Sequence, residues 1–323
     1  MMLDQQELFA LSQATGFRTE MLEKVIMLTG LLTAFNQHPT LQNNLALKGG
    51  TALNLFFLEL PRLSIDIDLN YIGSHDRSTM IKARPEIETI IINICAQKGL
   101  TLNRHPKEHA GGKMAFQYLS ALGNKGRIEI DLNFILRTPL WKPAQHESVS
   151  IGNHKTNCTV LDIHELIAGK LAALFDRSAS RDLYDTYQIF HKLKLDNKKQ
   201  RLATIVYGGM SATDWRKTSP QDITYDHREL RNQLIPVLHK QDLNNLLKDK
   251  QWTQQLLADC QSFLTQLFPL QENEIAFLTA LLDFGEIKPD LITKDDEISE
   301  TLLIHPGLKW KAVNVVKKLK GDQ

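Results

Sequence analysis

The chain has 323 residues, a length that suggests two domains at about 150 residues each. Its 38 Lys and Arg stand against 37 Asp and Glu, a net charge of +1 that argues against a protein coating nucleic acid through bulk charge. With 42% hydrophobic and 23% charged residues it reads as globular, not disordered, and no apolar run is long enough for a membrane span. The three cysteines, Cys95, Cys158 and Cys260, are odd in number and far apart. That excludes a disulfide framework or zinc knuckle and fits a reducing cytoplasm.

The opening MMLDQQELFALSQ carries acids and glutamines and does not read as a signal peptide. Two helices are expected over the first 36 residues, separated at Gly16, with His38-Pro39 as the break. Leu45-Ala46-Leu47 reads as a short buried strand. After Gly49-Gly50 an apolar helix is expected from Thr51 to about Leu60, then a strand from Ser64 to Tyr71. A long helix carrying Ile87, Ile90, Ile91 and Ile94 follows, with Pro85 in its first turn or at a kink. Further strands are expected near Leu100–Asn103, Lys113–Leu119 and Gly126–Phe134, with a Pro106–Lys113 connection between the first two. From Asp162 onward the pattern is helical, opened by a capping box of Asp162 and Glu165 and broken near Tyr207–Pro220. The expectation is α+β: a mixed-sheet domain over 1–160 with N-terminal helices in 1–37, then an all-helical domain over 161–323.

The segment Arg62-Leu63-Ser64-Ile65-Asp66-Ile67-Asp68-Leu69 carries the first chemical signal. In a strand, residues i and i+2 share a face, so Asp66 and Asp68 point together while Ile67 and Leu69 point into a core. Adjacent carboxylates repel, and a divalent cation removes that penalty. Alone, an Asp-x-Asp is most often a polar strand face. Two neighbours change the reading. Lys48-Gly49-Gly50-Thr51 sits at a strand-to-helix junction, where glycines admit a phosphate and the helix offers unpaired N–H groups. Arg127-Ile128-Glu129-Ile130-Asp131-Leu132-Asn133 is a second alternating strand that can bring Asp131 as a third carboxylate. Acids on neighbouring strands beside a glycine turn suit metal-assisted phosphoryl or nucleotidyl transfer. Ser64 is placed to orient a metal ligand and Arg62 to reach phosphate.

Lys48-Gly49-Gly50-Thr51-Ala52-Leu53, followed by Arg62-x-Ser64-x-Asp66-x-Asp68-Leu69, resembles the nucleotidyltransferase-like AbiEii/MenT toxins of abortive-infection and toxin–antitoxin systems. Gly49-Gly50-Thr51 stands where the wider DNA-polymerase-β-like superfamily carries Gly-Ser. A second signature of that family is matched by His164-Glu165-Leu166-Ile167-Ala168-Gly169-Lys170 through Arg177, Arg181-Asp182-Leu183-Tyr184-Asp185. The resemblance covers residues 48 to 185. It implies an enzyme that uses Mg²⁺ (or Mn²⁺) to transfer a nucleotide from an NTP to an RNA acceptor, a tRNA 3′ end, with a cognate antitoxin as partner. It also makes Lys170 the triphosphate or catalytic lysine and Asp185 a second essential position. The NTP is then expected between the two domains.

Read for themselves, Lys170, Arg177 and Arg181 fall on one stripe of a helix that is either a solvated charged face or a nucleotide-binding grip on the triphosphate, with Asp185 in pairing reach of Arg181 and Ser178 or Ser180 as a cap if Asp176-Arg177-Ser178-Ala179-Ser180 interrupts the helix. Basic patches lie at His191–Arg201, where five Lys and Arg meet one Asp, and at 309–320, with five lysines. These suit binding one RNA. An inert interaction module on the same fold and an Asp-x-Asp glycosyltransferase are the alternatives.

Overall fold

The computed structural model describes residues 4–106, 111–248 and 251–321. The chain groups into two compact units. The first comprises Met1–Arg137, Pro143–Leu161 and Arg231–Lys250, and the second Thr138–Lys142, Asp162–Leu230 and Gln251–Gln323. Neither unit is a single stretch of chain. In the first, Leu63 N donates to Val237 O at 2.9 Å and Lys240 N to Gly16 O at 3.0 Å, which hold the returning segment in place.

The first unit is α+β. Its sheet has seven strands: β1 (Leu45–Lys48), β2 (Asp66–Tyr71), β3 (Thr101–Arg104), β4 (Gly111–Leu119), β5 (Lys125–Asn133), β6 (Ala144–Glu147) and β7 (Asn157–Val160). Their order is β3-β4-β5-β2-β1-β7-β6, with β2–β5 and β1–β7 parallel and the other pairs antiparallel. The strands β6 and β7 were not anticipated, because four-residue segments carry little periodicity. Helices α1 (Gln5–Thr15), α2 (Thr19–Gln37), α3 (Pro39–Asn44), α4 (Gly49–Phe56) and α5 (Arg77–Gln97) belong to the unit, as does a helix at Lys240–Lys248 in the returning segment.

Gly16 ends α1 in a left-handed conformation at φ 74°, which a residue with a Cβ adopts reluctantly. His38-Pro39 ends α2 as expected but also starts α3, since proline is well suited to a first helical position. α4 stops at Phe56, four residues before the expected end, and Glu59 and Leu60 take positive φ. Pro85 lies inside α5, well past the first turn. The expected Pro106–Lys113 connection falls partly outside the described residues, and Gly111–Lys113 already belong to β4. Leu22, Val25, Leu28, Leu31 and Leu32 of α2 are buried, and α2 packs on β5, β7 and α5. Within that apolar layer Glu23 accepts from Ser120 Oγ at 2.6 Å and Ala121 N at 2.7 Å, which pins the β4–β5 turn to the helix.

The second unit is helical. It contains α6 (Ile163–Arg177), α7 (Ser180–Lys192) and α8 (Asn197–Met210), with longer helices at Trp252–Leu264, Glu272–Phe284 and Pro306–Gly321 and a shorter one at Asp296–Ile304. Asp162 is the N-cap of α6, as expected, accepting from His164 N at 2.8 Å. The capping box is not made, because Glu165 turns inward instead of back to the cap. No helix among the described residues is long and apolar enough to cross a membrane. The three cysteines are buried and free, their thiols pushed up by desolvation.

Candidate active site

In the first unit, β2 lies between β1 and β5, and this register assembles the site. Lys48 is the cross-strand partner of Asp68, Asp68 of Asp131, and Asp131 of Lys113. Direct partners have Cβ atoms about 4.5–5.5 Å apart and share a face. Four adjacent strands therefore carry a row reading cation, anion, anion, cation. Asp66 sits two residues along β2, opposite Glu129. Asp66, Asp68 and Asp131 are half-buried, while Ile67 and Leu69 are buried on the other face.

Lys113 supplies positive charge that the motif search missed. It is 3.3 Å from Glu129 Oε2 and half exposed. Burial works against its ammonium, but Asp66, Glu129 and Asp68 outweigh that and raise its pKa. Nothing in sequence spacing marks it, because its role depends on the pairing of β4 with β5.

The glycine turn meets the same row. Lys48 ends β1 and is the N-cap of α4, and Gly49 has φ +74°. A Cβ on Gly49 would overlap the Asp68 carboxylate, so only glycine lets the turn approach that side chain. Gly50 and Thr51 form the first turn of α4. Thr51 is fully buried, and its hydroxyl donates to Asp66 O at 2.5 Å, tying the helix start to the carboxylate strand. The N-terminus of α4 thereby presents N–H groups beside Asp66 and Asp68. Ser64 is half-buried just before β2, which starts two residues later than expected. Arg62 is buried, its guanidinium donating to Leu63 O at 2.8 Å, and it pairs with Leu238.

Among the described residues, no group of three or more His, Cys, Asp or Glu encloses a metal ion by itself. The donor set nevertheless fits Mg²⁺, which takes one or two carboxylates and completes its shell with phosphates and water.

In the second unit, the expected single cationic stripe is broken. α6 ends at Ser178, in left-handed conformation at φ 49°, and α7 begins at Ser180 with Ala179 as N-cap and no side-chain cap bond. Neither serine caps α7 through its side chain. Glu229 accepts from Ser180 N at 2.5 Å and pairs with Arg181 at 3.8 Å, so it closes that helix end. The break folds α7 back on α6. Lys170 Nζ lies 2.7 Å from Asp182 Oδ1 and 2.9 Å from Asp185 Oδ2. All three are buried, at 8%, 1% and 0% exposure, so the ammonium is a structural charge as well as a candidate ligand group. Arg177 reaches Asp182 Oδ2 at 2.7 Å from solvent. Burial alone would raise the Asp182 carboxyl, but Lys170 and Arg177 outweigh it and hold it well below the usual range.

Glu165 is the other buried acid of this unit. It accepts from Leu140 N at 3.0 Å, Trp141 N at 3.2 Å and Tyr207 Oη at 3.1 Å. Desolvation raises it to about 7 against the pull of those three donors.

A mixed sheet with paired carboxylates and a glycine turn opening a helix, accompanied by a helical unit, matches what the sequence led one to expect of a nucleotidyltransferase. The chain belongs to the nucleotidyl transferase AbiEii toxin family of type IV toxin–antitoxin systems, whose model matches residues 30–281. Among solved structures it is similar in fold to MenT4, a nucleotidyltransferase toxin from Mycobacterium tuberculosis. The TM-score is 0.60 at 15% identity, covering 92% of this chain and 98% of that one. Comparison with curated protein sequences finds no match.

Proposed function

We propose that this toxin transfers a nucleotide from a nucleoside triphosphate to the 3′ end of an RNA, with tRNA as the acceptor class, and acts in the cytoplasm. The acceptor 3′-hydroxyl oxygen forms a bond to the α-phosphorus as the bond from that phosphorus to the bridging oxygen breaks. Pyrophosphate leaves with the bond's electron pair, and the hydroxyl proton passes to solvent. Such a transfer needs positioning and charge neutralisation more than covalent help from the protein.

Asp66 and Asp68 would hold Mg²⁺ (or Mn²⁺), with Asp131 beside them. When bound, the metal supplies a lowered hydroxyl pKa and neutralises charge on the departing phosphates. The Gly49-Gly50-Thr51 turn and the N–H groups of α4 bind phosphate oxygens, and Lys48 and Lys113 add positive charge at the two ends of the carboxylate row. Arg62 and Ser64 support β2 from its entry, and Arg181 holds the start of α7. Lys170 and Asp185 are carried over from the family's second signature as the triphosphate lysine and its acidic partner. A cognate antitoxin is the protein partner. The Lys48–Asp68–Asp131–Lys113 register carries this reading, because it places two adjacent acids beside an anion-binding helix start.

The test is incubation of the purified chain with total RNA and each of four α-labelled NTPs, with and without Mg²⁺ and Mn²⁺. Label is expected in small RNA, with pyrophosphate released in equal amount, and none with Asp66→Ala/Asp68→Ala. Unchanged labelling and toxicity in that double variant would overturn the assignment. Absence of any NTP-induced rise in melting midpoint would instead favour an inert module on this fold.

A further inference from the structure

The sheet of the first unit extends past the carboxylate row, across β4 to β3, into a face that the transfer chemistry proposed for Asp66, Asp68 and Asp131 does not use. On the opposite face Met114, Phe116, Tyr118, Ile128, Ile130 and Leu132 are buried, and Tyr118 Oη donates to Glu23 of α2 at 3.4 Å, so that side is core. The carboxylate face is polar and open. Arg127 of β5 stands opposite Gln117 of β4, and Gln117 opposite Thr101 of β3. Arg127 lies four residues from Asp131 on the same strand, hence on the same face. Thr101, Arg104, Lys113, Lys125 and Arg127 are all exposed.

A bulge in β3 adds a cation to this face. Thr101 pairs with Gln117 and Leu102 with Phe116, a register that would carry Arg104 to buried Met114 and aim it at the core. The ladder shifts between Leu102 and Arg104, so Arg104 stands opposite Ala115 instead, on the carboxylate face. Ala115 is the partner of Glu129, and Glu129 of Asp66. A second row therefore runs Asp66, Glu129, Ala115, Arg104 beside the first. Glu129 meets Lys113 at 3.3 Å and Arg127 at 2.6 Å, and both cations remain half exposed. Arg104 and Lys125 make no ion pair among the described residues. The face thus turns from anionic at β2 to cationic at β3–β5, where Arg104, Lys113, Lys125 and Arg127 outnumber Glu129.

In-line transfer fixes the side from which an acceptor comes, because attacking and leaving oxygens stand on opposite sides of the α-phosphorus. With the departing phosphates held at the start of α4, on the β1 side of the row, the acceptor hydroxyl approaches from the β5 side, over β4 and β3. The strand behind that hydroxyl then lies on the cationic face, about 10 Å wide from β5 to β3 at two strand spacings. We infer that Arg104, Arg127 and Lys125 form a track for the phosphates of the acceptor RNA next to its reacting 3′ end. Such backbone contacts bind a single strand without reading its sequence. The inference deepens the proposed function and rests on its RNA acceptor.

The experiment measures label transfer from α-labelled NTP to small RNA by the full chain, with KM for RNA and KM for NTP read separately across a salt series. Arg104→Gln/Arg127→Gln should raise KM for RNA about tenfold and flatten its log–log salt slope by about 1.4, the share of two phosphates on a single strand. KM for NTP and the melting midpoint should stay at wild-type values. Arg104→Lys/Arg127→Lys, which keeps the charge, should recover most of the loss. Neutral methylphosphonate linkages next to the RNA 3′ end should reproduce the loss with the wild-type chain. Transfer with KM for RNA and salt slope unchanged in the Gln variant would remove the track while the proposed function stands. A rise in KM for NTP instead would assign these cations to the nucleotide's own phosphates and overturn the track. No label transfer to any RNA by the wild type would sink the proposed function and this inference with it.

Discussion

Asp68 of β2 and Asp131 of β5 are direct cross-strand partners, with Lys48 and Lys113 as the next partners outward on β1 and β4. Two acids side by side on a half-buried sheet face oppose folding unless their charge is matched. The flanking lysines match it within the chain, and a divalent cation would do so more strongly. Asp68→Asn should therefore leave the melting midpoint unchanged or slightly raised while label transfer from NTP falls at least ~100-fold, the scale of losing transition-state charge stabilisation. A midpoint that drops together with activity would mean that Asp68 serves the fold and not the reaction.

Two glycines should respond in opposite ways to alanine. Gly49→Ala places a Cβ at φ +74° and against the Asp68 carboxylate, so it costs roughly 1–2 kcal/mol in backbone strain and also displaces that side chain. Transfer should fall more than the lost stability explains. Gly30, in α2, is exposed and has nothing within 4 Å of the added Cβ. Gly30→Ala should stabilise by about 0.5–1 kcal/mol with activity intact, measured by denaturant unfolding.

The buried triad of Lys170, Asp182 and Asp185 predicts unequal costs. Lys170→Met leaves two buried carboxylates with a lost partner, a destabilisation of about 3–5 kcal/mol. Adding Asp185→Asn to it should cost less than the sum of the two single changes, because the same uncompensated charge is removed. Arg177 reaches Asp182 from a 63% exposed position, so Arg177→Ala should cost under about 1 kcal/mol. Urea unfolding of the four variants would check the order.

Glu165 ties stability to pH. Its folded-state pKa is raised from 4.5 to about 7, so between those values the folded chain binds more protons than the unfolded one. Stability is then highest below about pH 4.5 as far as this group is concerned, falls as pH rises toward 7, and levels off above it. The total is of order 3 kcal/mol at 1.36 kcal/mol per unit. Glu165→Gln keeps an acceptor for Leu140 N and Trp141 N and should flatten melting midpoints across pH 5–7.5. An unchanged pH profile would show that another group dominates.

Much of the site was legible because strands and glycine turns act locally. Alternation alone separated Asp66 and Asp68 from Ile67 and Leu69, and Gly49 marked a junction whose positive φ favours glycine. The α+β division was visible because period-2 patterning ends before Asp162. Glu165 misled for the opposite reason: a capping box and an inward-facing carboxylate look identical in sequence. The helix over Lys170, Arg177 and Arg181 is interrupted within Asp176-Arg177-Ser178-Ala179-Ser180, where the sequence allowed a break, and the left-handed Ser178 divides the single stripe.

The sequence by itself determined which side chains share a face on each strand, because side-chain direction follows from the local period. Only the tertiary structure decided who faces whom. The parallel pairing of β2 with β5 brought Asp131 to Asp68, and the antiparallel pairing of β4 with β5 brought in Lys113. The turn at Ser178 placed Lys170 between Asp182 and Asp185. Register and reversal arise from long-range pairing, whose energy is spread over many contacts and is written in no single stretch of chain.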